Sequence, residues 1–170
     1  TGSGASPSLE SYYQELPANI NTVGLWHMNE GSANTCSGGV NDICDASGNS
    51  NDGAFNDNAA FTTTKILGSY ATTFDGTNDY ISVANSNSLN PPQISVELWA
   101  KSTVSTWSES GILVSKRDAY IMFPSSGTTN VTFYIYSGGW KSTTFTAPTG
   151  FDITEWHHYT GTFDGNQIHI

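Results

Sequence analysis

Basic residues are scarce in this chain. Only 5 of its 170 residues are Lys or Arg, against 15 Asp or Glu, so the formal net charge at pH 7 is −10 and the isoelectric point is near 4.4. A surface of this sign cannot neutralise a phosphate backbone or adhere to an anionic membrane, which argues against nucleic acid and membrane surfaces as partners. No apolar run approaches the roughly 20 residues of a transmembrane helix, so we expect no direct membrane insertion.

A start methionine and a recognisable secretory leader are both missing from the amino end. We therefore interpret the chain as a processed or excised piece. Residues 1–20 are predicted to be a linker or a short helical lead-in, with a helix over 9–16 that Pro17 ends. The length of the remainder, residues 21–170, is that of one domain.

Cysteine is limited to Cys36 and Cys44, which share one polar loop that includes Gly38 and Gly39. A loop this short closes easily, so we predict a disulfide; two free thiols in a cytosolic protein are the alternative. The low lysine content and the surface rich in Asn, Ser and Thr favour an oxidising compartment. A zinc site is not indicated, because there is no further cysteine and the four histidines are distant in sequence.

Helical periodicity is absent beyond residue 20, and short alternating segments take its place. Residues 94–101 and 131–136 alternate with period two, which is typical of strands. The turn 75–79 is predicted to connect a hairpin, and so is Asp164-Gly165. Many short strands separated by turns predict an all-β fold, an antiparallel two-sheet β-sandwich or jelly roll. The other predicted strands are 23–28, 71–74, 80–83, 111–116, 119–123, 140–145, 156–163 and 167–170.

Five segments in order resemble the laminin-G-like, concanavalin A-like jelly-roll domains of secreted and surface bacterial proteins. Asn29 stands where that family usually has Asp, and the loop between the cysteines is an insertion. Further strands follow in that family, so the resemblance implies that the C-terminal strands are missing here. We expect a neighbouring chain or a continuation to complete the sandwich, and the isolated chain not to be a stable monomer. The five segments are 26–32, 45–53, 74–81, 94–101 and 156–165.

Oxygen-bearing side chains crowd the turn at 45–53. Calcium takes six to eight oxygen ligands from flexible turns of this composition, and the resemblance implies a structural calcium in this region. The alternative is an Asx-rich turn that hydrogen-bonds its own backbone. The ligands indicated are Asn29, Asp45, Ser47, Asn49 and Asn51.

Aromatic residues are the candidates for glycan binding, because ring faces stack on the apolar faces of sugars. Strand alternation places about half of such residues in the core, and the sequence does not say which half. Asn130-Val-Thr132 also fits a glycosylation sequon. The ligand-binding candidates are Trp107, Tyr120, Tyr134, Tyr136 and Trp140.

Catalysis is not indicated by any motif. Retaining glycosidases need two carboxylates close together, whereas the strand 94–101 carries Glu97 alone. His157 and His158 have no Ser or Cys motif to serve. We predict a non-catalytic extracellular binding or adhesion module of a secreted or surface-anchored protein, which recognises glycan or a surface protein. The alternatives are a structural or decorating subunit of a surface filament or layer and, less favoured, a glycoside hydrolase.

Overall fold

The computed structural model describes residues 15–109 and 111–170, and over these residues the protein is an all-β fold of eleven strands. A short 3-10 turn at Asn87–Leu89 is the helical element of this part of the chain. The helix predicted over 9–16 falls largely outside the described residues. No helix in the described part is long and apolar enough to cross a membrane. The chain divides into two compact units, Thr1–Leu89 and Asn90–Ile170.

Two antiparallel pairs of strands organise the first unit. β1 (Gly53–Asn56) pairs with β4 (Tyr80–Val83), and β2 (Ala60–Thr62) pairs with β3 (Ala71–Thr73). The β2–β3 hairpin is therefore inserted along the chain between the two strands of the other pair. The turn 75–79 joins β3 to β4, which belong to different pairs, so its prediction as a hairpin connection is wrong.

Hydrogen bonds to carboxylates explain why the turn 75–79 does not close a hairpin. The Thr77 N–H donates to Asp75 Oδ1 over 2.7 Å, and the Asp75 N–H donates to the Asp79 carboxylate. Asn58 donates its backbone N–H to Asp79 and its side-chain amide to Asp75. These bonds fasten the turn to the connection between β1 and β2, so the chain leaves β3 towards β1 and not back along β3.

Residues 23–28 do not form the predicted strand, and among the described residues Trp26 alone makes a ladder bridge there, opposite Asp45. The Leu25 N–H donates to the Asp45 carboxylate over 2.9 Å, and the Ala46 N–H donates to the Leu25 carbonyl over 2.8 Å. Met28 then takes a left-handed φ of 59°. A side chain thus satisfies backbone groups that a partner strand would otherwise take, and the segment stays irregular.

The second unit is a sandwich of two antiparallel sheets, as the sequence predicts. One sheet has β10 (His157–Phe163) between β5 (Ile94–Ala100) and β11 (Ile168–His169). The hairpin predicted at Asp164-Gly165 is confirmed, because β10 pairs with β11, and β6 pairs with β7 in the same way. The other sheet has the order β6 (Val114–Lys116), β7 (Tyr120–Pro124), β8 (Val131–Tyr136) and β9 (Trp140–Phe145).

The two sheets of this unit approach each other closely at Phe133 of β8 and Gly161 of β10. Phe133 is fully buried, and a methyl group at Gly161 would lie 2.5 Å from its ring Cγ. Only a residue without a side chain lets the strands approach this far. The core around this contact also contains Met122, Val131, Ile135, Ile153, Tyr159 and Phe163.

Candidate functional site

The four-stranded sheet of the second unit has an outer face, opposite the core, that carries aromatic and hydroxyl side chains. Along β8, Val131, Phe133 and Ile135 are buried in the core, so the residues between them face outward. The register places Tyr136 opposite Trp140, Tyr134 opposite Ser142, and Thr132 opposite Thr144.

Tyr136 and Trp140 form an exposed aromatic pair at the end of this face. Half of Tyr136 (50%) and 47% of Trp140 is exposed, and their ring centroids lie 5.5 Å apart at an interplanar angle of 69°. They are the last pair before the turn 137–139, in which the Ser137 N–H donates to the Gly139 carbonyl over 3.0 Å. The Tyr136 N–H also donates to Ala119 over 2.8 Å, which fixes Tyr136 to the turn between β6 and β7. The backbone beneath the pair is therefore held on both sides.

Tyr134 lies on the same outer face, half-buried between Ile121 of β7 and Ser142 of β9. Three of the five predicted ligand-binding aromatics thus share one surface. We call Tyr134, Tyr136 and Trp140 the aromatic patch. Ile121 and Phe123 border it on β7, and the sequence does not single them out, because both faces of β7 are apolar.

Trp107 and Tyr120 are exceptions among the predicted ligand-binding residues, because both are buried in the core, at 8% and 9% exposure. Tyr120 lies on the inner side of β7 together with Met122, and burial raises the pKa of its hydroxyl. Trp107 lies outside any strand, and its backbone N–H donates to Thr128 over 2.8 Å. Its ring meets that of Tyr159 edge to face, with 6.3 Å between centroids. Neither Trp107 nor Tyr120 presents a ring face to a ligand.

Asp45 is the centre of the oxygen-rich turn at 45–53. Its Oδ1 accepts the N–H groups of Leu25 and Ser47, and its Oδ2 accepts the Ser47 hydroxyl and the Asn51 N–H, all within 2.8–2.9 Å. Burial alone raises the pKa of Asp45, but the hydrogen bonds from Ser47, Asn51 and Leu25 outweigh it and lower the pKa below its usual value. This is the geometry of a turn that satisfies its own backbone.

The other predicted calcium ligands are also engaged in hydrogen bonds. Asn51 donates its amide to Val23 and Ser88, and Asn49 donates to the Ser47 hydroxyl and to Thr22. These bonds use the amide nitrogens of Asn49 and Asn51 and hold both side chains against the chain.

Asn29 belongs to a different set of contacts from those of the turn. Its Oδ1 accepts the N–H groups of Ser69 and Tyr70, and its amide donates to Glu15. No group of three or more His, Cys, Asp or Glu able to hold a metal occurs in residues 15–109 and 111–170. Asp45, the one carboxylate among the predicted ligands, is already engaged in four hydrogen bonds, and calcium stays a prediction from the sequence.

The predicted disulfide between Cys36 and Cys44 is confirmed, so the alternative of two free thiols is wrong. The bond closes the loop beside Asp42, which is buried at 8% exposure. Asp42 accepts the N–H of Asn34 over 3.0 Å with one carboxylate oxygen and the N–H of Phe55 over 2.7 Å with the other. The loop is therefore fixed at two points, by the covalent bond and by this buried carboxylate.

The two neighbouring histidines of β10 have separate surroundings. The His157 ring stacks on Phe151 with 4.1 Å between centroids, and its Nε2 bonds the Asp152 carbonyl. His158 points to the opposite side, where its Nε2 lies 3.5 Å from a Glu97 carboxylate oxygen. The His157 ring is thus a packing residue, and the His158 ring lies at the surface beside Glu97.

Comparison with known proteins identifies the family of the chain. A laminin-G-like family model, described as the concanavalin A-like lectin/glucanases superfamily, matches residues 75–170, which is more than half of the chain. Neither a curated protein nor a solved structure matches the sequence. The matched region contains the whole second unit, with its two-sheet sandwich and its aromatic outer face. The family supports a lectin-like or binding module in general, and by its residues and its fold the chain belongs to the concanavalin A-like lectin/glucanases superfamily.

Proposed function

We propose that this protein is a non-catalytic extracellular module that binds glycan through the aromatic patch. The observation that carries the proposal is the exposed pair Tyr136–Trp140 on the outer face of a family-typical sandwich. Ring faces stack on the C–H faces of sugars, and Ser142, an exposed residue opposite Tyr134 on the same face, offers a hydroxyl group for hydrogen bonds. The disulfide supports an extracellular location, because such bonds persist in oxidising compartments.

The non-catalytic part of the proposal rests on the surroundings of the carboxylates. On the outer face of the three-stranded sheet, Glu97 faces His158 and not a second carboxylate. Glycoside hydrolysis needs two carboxyl groups about 5–9 Å apart across a sugar. An aromatic surface without such a pair retains a ligand and leaves it intact.

Glycan binding is tested with an array of immobilised oligosaccharides and then with titration calorimetry on the best ligand. We expect Trp140→Ala to weaken binding by about tenfold or more, which corresponds to the ~1.4 kcal/mol of one stacked ring. The matched control is Tyr80→Ala, because Tyr80 is equally exposed (55%) but lies on β4 in the other unit. Unchanged affinity in Trp140→Ala, or an equal loss in both variants, would refute the aromatic patch as the site.

A structural calcium at the turn 45–53 is a separate proposal, and it is supported by the family resemblance and by the acidic composition. An ion at the turn must replace the hydrogen bonds that Ser47 and Asn51 make to Asp45. If it does, a chelator lowers the melting temperature and Asp45→Ala removes that sensitivity. A melt that responds neither to calcium nor to chelator leaves only the self-bonded turn.

A further inference from the structure

The two exposed rings of the aromatic patch do not form a flat surface. The planes of Tyr136 and Trp140 differ by 69°, and the ring centroids lie 5.5 Å apart. A ring stacks on a sugar only when it lies parallel to the apolar face of that sugar. Only one of the two rings can therefore lie flat against a planar array of sugars, and the other would meet the same array at a steep angle.

The angle between the rings is held by the pair itself and by the backbone beneath it. Edge-to-face contact is a preferred arrangement of aromatic side chains, so rotation to a coplanar arrangement would lose a favourable contact. The turn between the two residues contains Gly138 at φ 67° and Gly139 at φ 151°, both in the region that favours glycine. These conformations set the direction in which the chain enters β9 at Trp140. The rings thus form a corner that the fold maintains.

The accessible part of this outer face is also short. Along β8 the exposure of the outward residues falls from Tyr136 (50%) through half-buried Tyr134 to Thr132 (6%). The Thr132 hydroxyl is already engaged with that of Thr144 over 2.9 Å. The rows of Tyr136 and Tyr134 lie about 7 Å apart along the strand, and this is the length of sheet that a ligand can contact.

A corner of two rings beside a short surface suits a single saccharide chain. One ring can stack on the face of a sugar while the other borders the edge of that sugar, and the Ser142 hydroxyl lies in the next row for a hydrogen bond. A packed, insoluble polysaccharide presents its sugars in one plane, which matches coplanar rings and not a corner. Resting on the proposed glycan binding, we propose that the ligand is a short segment of a soluble, single saccharide chain and not the surface of a packed polysaccharide.

The test compares soluble chains with packed ones. The soluble probes are the oligosaccharides of the array, which include cello-oligosaccharides and chito-oligosaccharides, and the best ligand is titrated in solution by calorimetry. The packed probes are crystalline cellulose and crystalline chitin, which are mixed with the protein and sedimented. The cellulose and chitin probes thus offer the same sugars in both forms.

Two glycine variants test the corner without removing a ring. Gly139→Ala disfavours the backbone conformation of the turn, and its Cβ would have no atom within 4 Å, so the variant introduces strain and no clash. Gly127→Ala is the matched control, because Gly127 also has a positive φ (70°) and open space around its Cβ but lies in the turn between β7 and β8. Near-UV circular dichroism, which responds to the orientation of aromatic rings, checks that each variant is folded and that the pair is disturbed in Gly139→Ala.

We expect the protein to bind a soluble oligosaccharide and not to sediment with crystalline cellulose or chitin. Gly139→Ala should weaken the soluble ligand by up to about tenfold, the contribution of one misplaced ring, and Gly127→Ala should leave the affinity unchanged. Sedimentation with a crystalline probe that Trp140→Ala abolishes would overturn the inference and leave glycan binding standing. An affinity unchanged by Gly139→Ala would also overturn it, because the angle between the rings would then have no effect. Failure of every soluble and crystalline probe to bind would refute the proposed function itself.

Discussion

The contact between Gly161 and Phe133 sets how closely the two sheets of the second unit approach, and Gly161→Ala tests it. A Cβ at this position would lie 2.5 Å from Phe133 Cγ and 2.7 Å from both Cδ atoms. Phe133 is fully buried in the middle of β8, so its ring cannot move into solvent. The added methyl group must displace the ring or separate the sheets.

The size of the effect follows from two opposing terms. Overpacking a tight core costs about 1–3 kcal/mol, and replacing glycine by alanine returns up to ~1 kcal/mol by restricting the unfolded chain. We therefore expect a net destabilisation of about 1–2 kcal/mol, or about 2–8 °C in melting temperature for a chain of this size. Urea unfolding followed by tryptophan fluorescence measures the free energy directly.

Two further variants make the reasoning refutable. Gly111→Ala is the control, because the nearest atom to its Cβ is Ser108 Oγ at 3.3 Å and its φ is not in the left-handed region. Combining Gly161→Ala with Phe133→Leu should cost less than the sum of the two single changes, since the smaller side chain makes room for the methyl group. A Gly161→Ala protein as stable as the wild type, or strictly additive costs, would show that the sheets do not meet at this point.

Three other changes test the first unit and the core. Because the folded state lowers the pKa of Asp45 below 3.8, its carboxylate stabilises the fold above that pH, and this contribution is lost as the pH falls through the folded pKa. The variant Asp45→Asn should therefore lose less stability than the wild type as the pH falls. An equal loss in both proteins would contradict this reasoning. Reducing the bond between Cys36 and Cys44 should cost roughly 2–3 kcal/mol by the chain-entropy estimate, and alkylation with mass analysis counts the thiols, of which unreduced protein should have none. Burial raises the pKa of Tyr159 to about 12, and its hydroxyl is buried without a hydrogen-bond partner among the described residues. The variant Tyr159→Phe should therefore be as stable as the wild type or up to about 1 kcal/mol more stable. A clear loss of stability in a thermal melt would show that the hydroxyl has a partner.

Period-two alternation predicted the second unit well. Val131, Phe133 and Ile135 alternate with Thr132, Tyr134 and Tyr136 as in a strand, and the structure buries the first three in the core. The parity that buries these three also places Tyr134 and Tyr136 outside. Alternation does not show which face of β7 is buried, because Ile121 on one face is as apolar as Tyr120 on the other.

The first unit was predicted poorly because side chains organise much of it. Asp45 accepts the N–H of Leu25, which a partner strand would otherwise take, and this keeps 23–28 irregular. Asp42 likewise accepts the N–H of Phe55 in β1. At the turn 75–79, the carboxylates of Asp75 and Asp79 likewise accept backbone N–H groups in place of a partner strand. β1 and β2 were not predicted, since residues 53–62 lack a regular alternation. Long-range bonds of this kind depend on the fold and leave no period in the sequence.

The oxygen-rich turn at 45–53 raises the same difficulty at a single site. A cluster of oxygen side chains looks alike in sequence whether it holds an ion or hydrogen-bonds its own backbone. In the structure the Asp45 carboxylate accepts four hydrogen bonds, and calcium binding at this turn stays a prediction.

The pairing of β8 with β9 has a consequence for the sequon at Asn130. Thr132, the hydroxyl residue of that sequon, is 6% exposed and shares a 2.9 Å hydrogen bond with Thr144, while Asn130 Oδ1 accepts the Ala147 N–H over 2.9 Å. A transferase needs both side chains free, so the folded protein is closed to it. In a host that contains this transferase, mass spectrometry would measure the fraction of chains glycosylated at Asn130. That fraction should increase with the time for which β8 and β9 remain unpaired after synthesis. Variants that slow the closing of this hairpin should carry more sugar, and identical occupancy in fast- and slow-folding variants would show that the sequon is not read at all.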